Sequence, residues 1–347
     1  MSCRERVLCS LRWDNPKGPV VESYCSAATW HHYRDKLFPI AIQIPSDFYF
    51  PMSTPPDYDS FPKGYAAGEI FVDAWGCEWT NKVNGMQGIV SKSPLESWDS
   101  FEDFKCPDPK TTADLYSGFD IEAFKKYCKA LKDGNKFVIT PGSPERLWER
   151  VHFLRGYENS LIDMAEDDPR IRKLIDMIVQ YNIENTSKYI DCDDLDCVAF
   201  QDDWGEQYRL MVSPEMWYDF FFEGYKAMFQ HAKKLGKYVY FHTDGHLLPV
   251  IPYLIEAGAD IINIQSGCND LQELRRLCLN KVTVSADIDR QYFMPFATAE
   301  QLKGHIIKIY EVMEGHKGGL WFKADIYPDT PLENIQAIAD VLNELRK

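Results

Sequence analysis

Short apolar runs alternate with amphipathic stretches from about residue 137 to the end of the chain. Each run is rich in β-branched or aromatic residues, as strands are, and the segments between the runs have the apolar spacing of helices. Repeated units of this kind predict a parallel sheet covered by helices. The predicted strands are FVITPG (137–142), CVAFQDDWG (197–205), YVYFHTDG (238–245), DIINIQS (260–266), VTVSADID (282–289) and LWFKADI (320–326).

Several of the predicted helices carry recognisable start signals. Ser213 stands before a proline and a glutamate, Thr298 precedes AEQLKGHIIKIYEVMEG, and Thr330 precedes PLENIQAIADVLNELRK. Side-chain oxygens of Ser and Thr accept bonds from the first N–H groups of a helix, and proline is tolerated in its first turn. A further helix over roughly 159–191 is predicted to be interrupted by the Asp-Asp-Pro sequence at 167–169.

The first third of the chain has a different texture. Prolines and aromatic residues crowd the segment 39–62, and the segment 91–109 also has the composition of a loop. Proline disfavours both helix interiors and central strands, so we expect long excursions that cover a site rather than a separate domain. A repeated βα pattern either closes into a barrel or lies open as a doubly wound sheet. Because no GxGxxG motif follows a predicted strand, the sequence favours a single α/β domain over 1–347, a (β/α)8 TIM barrel.

Composition excludes several classes of protein. The 347 residues carry 53 acidic and 38 basic side chains, a net charge of −15, which argues against nucleic-acid binding. No apolar run reaches the roughly 20 residues that cross a bilayer, and the N-terminal MSCRERVLCS is charged. We therefore expect a cytoplasmic protein without membrane contact. Its ten cysteines include no CxxC pair and are interpreted as reduced thiols.

Polar residues, most of them carboxylates, stand where the predicted strands end. In a parallel barrel the active site lies at these carboxyl ends, so the residues are candidates for chemistry. A carboxylate-rich rim has three interpretations: capping of the next helix, binding of a cation, or acid–base catalysis. Repulsion within such a cluster calls for a counter-ion or a raised pKa. The candidates are Asp73, Asp202, Asp203, Glu206, His242, Asp244, Gln265, Asp287 and Asp325.

The sequence FHTDGH (241–246) carries the sharpest signal among these strand ends. His242 and Asp244 are two positions apart on a strand end, so their side chains are predicted to point to the same side. Imidazole nitrogen and carboxylate oxygen are both acceptable ligands of zinc and of other divalent ions. The pair therefore indicates a metal site.

The segment QDDWGEQYRLMVSPEMWYDFFFEGYKAMFQHAKKLGKYVYFHTDGHLLPVIPYLIEAGADIINIQ resembles the signature region of the uroporphyrinogen decarboxylase superfamily. In that family an Asp-Asp strand end precedes a Ser-Pro-Glu helix and a His-x-Cys-Gly strand end. VDAWGCEW (72–79), ERLWERVHFLRGYENSLIDM (145–164) and PDTPLENIQAI (328–338) also match, so the resemblance spans most of the chain. It implies a single TIM barrel.

Two activities are found in the superfamily, and local residues separate them. The decarboxylases use an arginine-rich N-terminal motif of the type RYMPEYR, and this chain lacks it, although Arg4, Arg6 and Arg12 stand nearby. The corrinoid-linked methyltransferases bind zinc, and their thiol-methylating members use His-x-Cys and a later Cys. Here Asp244 stands where the first of those cysteines would be, which argues against a thiol substrate. The resemblance therefore implies ether cleavage with an oxygen- and nitrogen-liganded zinc.

We accordingly expect a metal-dependent methyltransferase that acts on a small substrate, such as a methyl ether, together with a corrinoid protein or free cobalamin. A homodimer is an open alternative to a monomer. The other functions left open are a uroporphyrinogen-type decarboxylase and a non-catalytic binder of a tetrapyrrole or small aromatic. The predicted metal ligands are Glu206, His242, Asp244 and Asp325; the predicted catalytic residues are Asp73, Asp202 and Gln265; the predicted substrate contacts are Trp75, Arg155, Tyr157 and Trp204, with Tyr49, Phe50 and Trp79 as further aromatic walls.

Overall fold

A computed structural model describes residues 1–141 and 145–347, which form twelve strands and thirteen α-helices. The strands are β1 (Val20–Cys25), β2 (Ile70–Val72), β3 (Glu78–Thr80), β4 (Ile89–Lys92), β5 (Thr112–Ala113), β6 (Tyr116–Ser117), β7 (Glu145–Arg146), β8 (Cys197–Gln201), β9 (Tyr238–His242), β10 (Ile261–Gln265), β11 (Thr283–Asp287) and β12 (Leu320–Ile326). The helices are α1 (Cys3–Leu11), α2 (Ala27–Tyr33), α3 (Phe38–Ala41), α4 (Ile121–Asp133), α5 (Trp148–Arg155), α6 (Tyr157–Ala165), α7 (Pro169–Ser187), α8 (Pro214–Lys234), α9 (Ile251–Ala257), α10 (Leu271–Cys278), α11 (Phe293–Phe296), α12 (Ala299–Val312) and α13 (Leu332–Glu344).

The main sheet has seven parallel strands in the order β1-β12-β11-β10-β9-β8-β7. This is the curled α/β sheet that the sequence predicts, but with seven strands among the described residues rather than eight. The predicted strand 137–142 is reduced to one parallel bridge between Ile139 and Cys197, and its residue 142 lies outside the described ranges. In turn, β1 and β7 were not predicted.

Asp47 lies between the two edges of this sheet. Its backbone N–H donates to Val21 O of β1 at 2.9 Å, and its carbonyl accepts from Phe137 N at 3.1 Å. Its buried carboxylate also accepts from Val21 N and from Arg6 and Arg346. One residue of the proline-rich N-terminal region thus connects β1 to the segment that precedes β7.

Alternation along the strands separates an inner apolar cluster from the helix-covered face. Tyr240, Ile261 and Trp321 belong to a small cluster with Val20 and Phe48. The residues two positions further along the same strands are polar. They lie on the same face as the apolar cluster, because every second side chain of a strand points to one face. This concave face is therefore apolar at one end and charged at the carboxyl ends of the strands.

The opposite face of the sheet packs against the helices. Val239 and Phe241 of β9 and Phe221, Tyr225 and similar residues of α8 belong to the large apolar core. Several predicted helix starts are confirmed: Ser213 accepts from Met216 N, and Thr298 forms a capping box with Gln301. The predicted interruption is also confirmed, since α6 ends at Ala165 and α7 begins at Pro169.

The predicted cap of the last helix was wrong. Pro331 precedes α13 without a side-chain cap, and the backbone N–H of Thr330 instead donates to Tyr327 O in a tight turn. The N-terminal excursions have structure of their own: β2, β3 and β4 form an antiparallel sheet, and β5 and β6 form a hairpin. Among the described residues, no helix combines the length and apolar character that a bilayer span requires.

Candidate functional site

Three side chains converge at the carboxyl end of the main sheet. Asp203 follows β8, His242 ends β9, and Asp244 follows it by two residues. His242 Nε2 lies 3.6 Å from an Asp203 oxygen and 3.7 Å from an Asp244 oxygen. One potential ligand atom from each residue lies within 4.8 Å of the other two. We call these three residues the centre.

Asn263 orients the imidazole of this centre. Its amide nitrogen donates to Ser285 O at 2.8 Å and to Asp287 Oδ1 at 2.6 Å, so its oxygen faces His242. That oxygen contacts His242 Nδ1, which must therefore carry the proton. The lone pair of Nε2 then points towards the two carboxylates. Fixing a histidine tautomer through its other nitrogen is the usual arrangement behind a metal-binding imidazole.

Electrostatics make the centre electron-rich. Burial and the nearby Lys323 ammonium lower the pKa of His242 to about 4, so its ring is neutral. Burial, Glu149 and Asp244 raise the pKa of Asp203 well above its usual range. A neutral nitrogen lone pair and two acidic oxygens at this separation repel one another, and a cation relieves the repulsion. The donor set suits a divalent ion bound by nitrogen and oxygen.

Arg290 supplies a positive charge at one side of the centre. Its Nη2 lies 2.5 Å from each oxygen of Asp244, and it also approaches Asp287 at 3.8 Å. The guanidinium therefore holds the Asp244 carboxylate in place. The negative charge of that carboxylate would be shared between Arg290 and any ion bound beside His242. The Asp203 side chain is 36% exposed and the Asp244 side chain 30% exposed, so the centre is open to solvent on one side.

A buried charged layer lies beneath the centre. Lys323 of β12 approaches Asp325 at 3.5 Å and Asn263 at 3.4 Å, and the neighbouring strands place Glu22 and Asp287 opposite it. Burial raises the pKa of Asp287 to about 7 in spite of the ammonium. Among the described residues, the buried atoms of this layer without a hydrogen-bond partner include Glu22 Oε2, Tyr240 Oη, Ser285 Oγ and Asp287 Oδ2.

Two of the predicted metal ligands lie outside the centre. Glu206 is 47% exposed and pairs with Arg209 at 2.9 Å, because the chain turns away after Asp203 and Glu206 follows that turn. Asp325 lies on β12 and pairs with Lys323 rather than with His242. The sequence analysis chose Glu206 as the metal ligand that follows β8. In the structure, Asp203 is the carboxylate after β8 that lies next to His242. The prediction of His242 and Asp244 on one side of a strand end agrees with the geometry.

Two of the predicted catalytic residues, Asp73 and Gln265, accept hydrogen bonds from backbone N–H groups of nearby loops. Asp73 follows β2 of the antiparallel sheet, not a strand of the main sheet, and accepts from Trp75 N, Cys77 N and Trp79 Nε1. Asp73 therefore does not follow a strand of the main sheet, as the sequence analysis assumed. Gln265 does end a main-sheet strand, and its Oε1 accepts from Gly245 N at 3.0 Å, which holds the loop that follows Asp244.

Asp202 is fully buried and faces away from the centre. It accepts from Leu147 N at 2.8 Å, from Glu149 N at 2.6 Å and from the Tyr225 hydroxyl at 2.6 Å. These bonds satisfy the first N–H groups of α5, which lacks a capping side chain of its own. Burial and Glu149 raise the pKa of Asp202 to about 7 against these three bonds, which favour the ionised form.

Three of the predicted substrate contacts are buried in packing. The Trp75 indole donates to Asp114 O at 3.0 Å, and Trp204 donates to the Tyr225 hydroxyl at 2.7 Å while stacking on Trp148. Arg155 pairs with Asp163 at 2.7 Å and donates to Leu95 O, so it fixes a loop and is not exposed. Trp75, Arg155 and Trp204 are therefore buried, and their polar atoms are paired within the fold.

Tyr157 and Trp79 line a cavity of about 370 Å³ between the antiparallel sheet and α5. Glu149, which lies beside the centre, lines the same cavity. Tyr49 and Phe50 are elsewhere, in a cavity of about 610 Å³ beside β1. These four predicted aromatic residues therefore lie in two separate cavities, Tyr157 and Trp79 in one and Tyr49 and Phe50 in the other.

Other residues around the centre carry weaker signals in the sequence. Asn263 precedes Gln265 by two residues, so strand alternation alone places both on one face. Lys323 interrupts an apolar run, and a lysine inside a buried strand calls for charged partners. Arg290 lies in a loop after β11, where no periodicity marks it. Their contacts depend on neighbouring strands that are distant in the sequence.

No curated protein matches the sequence. The structure of a methyltransferase from Methanosarcina mazei aligns over 99% of both chains with a TM-score of 0.69 and 13% identity, and therefore shares the fold. Old Yellow Enzyme from Pichia sp. AKU4542 aligns over 69% of this chain and 71% of its own, with a TM-score of 0.39 and 10% identity. The sequence pattern of the family described as uroporphyrinogen decarboxylase matches residues 70–345, and the chain thus belongs to that family.

Proposed function

We propose that this protein is a metal-dependent methyltransferase that moves a methyl group between a small substrate and a corrinoid, carried by a partner protein or free as cobalamin. The observation that carries the proposal is the convergence of one imidazole nitrogen with two carboxylates. A lone pair and two acidic oxygens within 4.8 Å of one another form a binding site for a divalent cation, with zinc as our first choice.

Each residue of the centre has a distinct role in this proposal. His242 and Asp203 hold the ion, and Asp244 completes the set while Arg290 keeps its carboxylate in position. Asn263 keeps the proton of His242 on Nδ1 and so keeps Nε2 free to bind. A bound divalent ion supplies Lewis acidity to the atom that carries or loses the methyl group.

Partial exposure of the two carboxylates of the centre is compatible with access by a small substrate and an approaching partner. Asp203 and Asp244 are accessible from the carboxyl end of the sheet, where the loops after the strands meet. The ligand set contains no sulfur, which favours activation of an ether oxygen over binding of a thiolate substrate. The fold shared with a protein described as a methyltransferase also supports the proposal.

The charge around the centre argues against the decarboxylase alternative. Asp203, Asp244, Asp287 and Asp325 lie at or near the carboxyl ends of the strands, and Arg290 and Lys323 are already paired with them. A substrate with many carboxylates would meet repulsion there, because in the described part of the chain the two cations beside the centre, Arg290 and Lys323, are already paired.

Metal analysis and a methyl-transfer assay test the proposal together. Protein purified without chelator should hold one equivalent of zinc or another divalent ion, and should transfer methyl groups from a methyl ether to cob(I)alamin. Removal of the ion should abolish the transfer, and its return should restore it. Absence of metal after soaking would overturn the metal site. Bound metal without transfer from any ether would overturn the methyltransferase assignment.

A further inference from the structure

The cavity between the antiparallel sheet and α5 has one wall from a single helix face. Glu149, His152, Phe153 and Gly156 follow the i, i+3, i+4, i+7 spacing that places residues on one side of a helix. The opposite wall comes from the antiparallel sheet, in which Trp79 of β3 is paired with Val90 of β4. A volume of about 370 Å³ falls within the range of small-molecule sites.

Aromatic rings dominate these walls. Trp79 and Phe153 are in edge contact with ring centres 4.9 Å apart, and His152 meets Phe153 and Tyr157 in the same edge-on manner. Such surroundings offer both ring faces and ring edges to a planar guest, which aromatic rings prefer to meet in stacked or edge-on arrangements. Tyr157, which is partly exposed, stands at the entrance.

The cavity carries little uncompensated charge. Its one carboxylate, Glu149, is held by Arg146 at 2.6 Å. Burial, together with Arg146 and Arg150, lowers the pKa of His152 to about 3, so its ring is neutral. No hydrogen bond of the His152 ring is found within residues 1–141 and 145–347. A neutral imidazole offers one N–H donor and one nitrogen acceptor to a guest.

Glu149 connects this cavity to the centre. Its Oε2 lies 3.3 Å from the Gln201 side chain, and Gln201 is the strand partner of His242. The negative charge of Glu149 also contributes to the raised pKa of Asp203. A ligand in the cavity therefore lies against a side chain whose charge acts on Asp203 of the centre.

We propose that this cavity binds a neutral aromatic ring and that His152 selects among rings by hydrogen bonding to a polar substituent. That the ring belongs to the methyl donor rests on the proposed function; the binding itself does not. An anionic ring finds no free cation among the described residues that line the cavity, and an alkyl ring loses the aromatic contacts.

Calorimetric titration tests the binding, with methoxybenzene, methoxycyclohexane and 4-methoxybenzoate as probes. Methoxybenzene should bind best, and V90W should weaken it at least about tenfold by filling the cavity. The matched control is V72W, at an exposed valine of the same antiparallel sheet, which should leave the affinity unchanged. Equal affinity for the three probes, or equal affinity in V90W and the wild type, would overturn the proposal.

A second comparison tests the role of His152. H152F should weaken the binding of 4-methoxyphenol about tenfold more than the binding of methoxybenzene, a ratio that corresponds to one hydrogen bond. An unchanged preference for the phenol would refute selection by His152. Repeating the titrations on H242A without metal separates the two proposals. If H242A still binds the aromatic probes but transfers no methyl group, the aromatic site exists whether or not the metal site does. Loss of probe binding in H242A would show that the aromatic site depends on the centre.

Discussion

Asn263 accepts a hydrogen bond from Nδ1 of His242, and the two residues are paired across neighbouring parallel strands. The amide nitrogen of Asn263 donates to Ser285 and Asp287, and these two bonds prevent a 180° flip of the amide. The strand register therefore determines which nitrogen of His242 faces Asp203 and Asp244. This relationship links the packing of the sheet to the metal affinity of the centre.

Replacing Asn263 by Ala should lower metal affinity about 10–100-fold, because the imidazole then loses the partner that fixes its tautomer and orientation. Competition with a chromophoric chelator measures the change. N334A serves as control: Asn334 is equally buried and bonded to Met294 O and Ala297 O, far from the centre in the sequence. It should lower stability but keep the metal affinity. Equal affinity in N263A and the wild type would contradict the assigned role.

D203N should lose more metal affinity than N263A, since it removes a direct donor, whereas E206Q should keep the wild-type affinity. Glu206 is paired with Arg209 and is absent from the group of converging ligand atoms. Metal content after dialysis, measured for both variants, compares the two alternatives directly. If E206Q released the metal and D203N kept it, the ligand set predicted from the sequence would replace the one proposed from the geometry.

D47A should lower the free energy of unfolding by about 3–5 kcal/mol, the usual effect of leaving a buried charge without its partner. Arg6 and Arg346 both bind the fully buried Asp47 carboxylate, which also accepts from Val21 N of β1. Urea denaturation measures the change. D133A, which removes an exposed carboxylate paired with Lys129, should change stability by less than about 1 kcal/mol. Similar losses in the two variants would argue against the role of Asp47 between the sheet edges.

Stability should decline as pH falls from about 6.5, and H152F should reduce the decline. The pKa of His152 is lowered to about 3 in the folded protein, so the unfolded chain binds a proton there that the folded chain does not. Its contribution is present above the unfolded value of about 6.5 and is lost as pH falls, by up to about 1.4 kcal/mol per pH unit. Urea denaturation at pH 7 and 4.5 measures it, with the exposed His316 replaced as control in H316F. Identical pH dependence in H152F and the wild type would refute the prediction.

Strand and helix patterns were readable along the chain because they depend on neighbours in sequence. The apolar runs that contain β8 to β12 were predicted, as were the capped starts of α8 and α12. β1 was missed because VVESYC combines charge and polarity with its apolar residues. β7 has only two residues, which is too short for any periodicity. Of the predicted strand 137–142, the described residues 137–141 keep one bridge, between Ile139 and Cys197.

The sequence by itself determined the family, the parallel strand–helix architecture and the placement of His242 and Asp244 on one side of a strand end, because each depends on local order or on a continuous motif. Tertiary structure decided which carboxylate joins them. Asp203 and Glu206 are both plausible in the sequence, but their distances to His242 depend on how two strands pair and how the chain turns after β8. The tautomer of His242 was likewise decided by Asn263 on the next strand, a contact between residues that no local pattern connects.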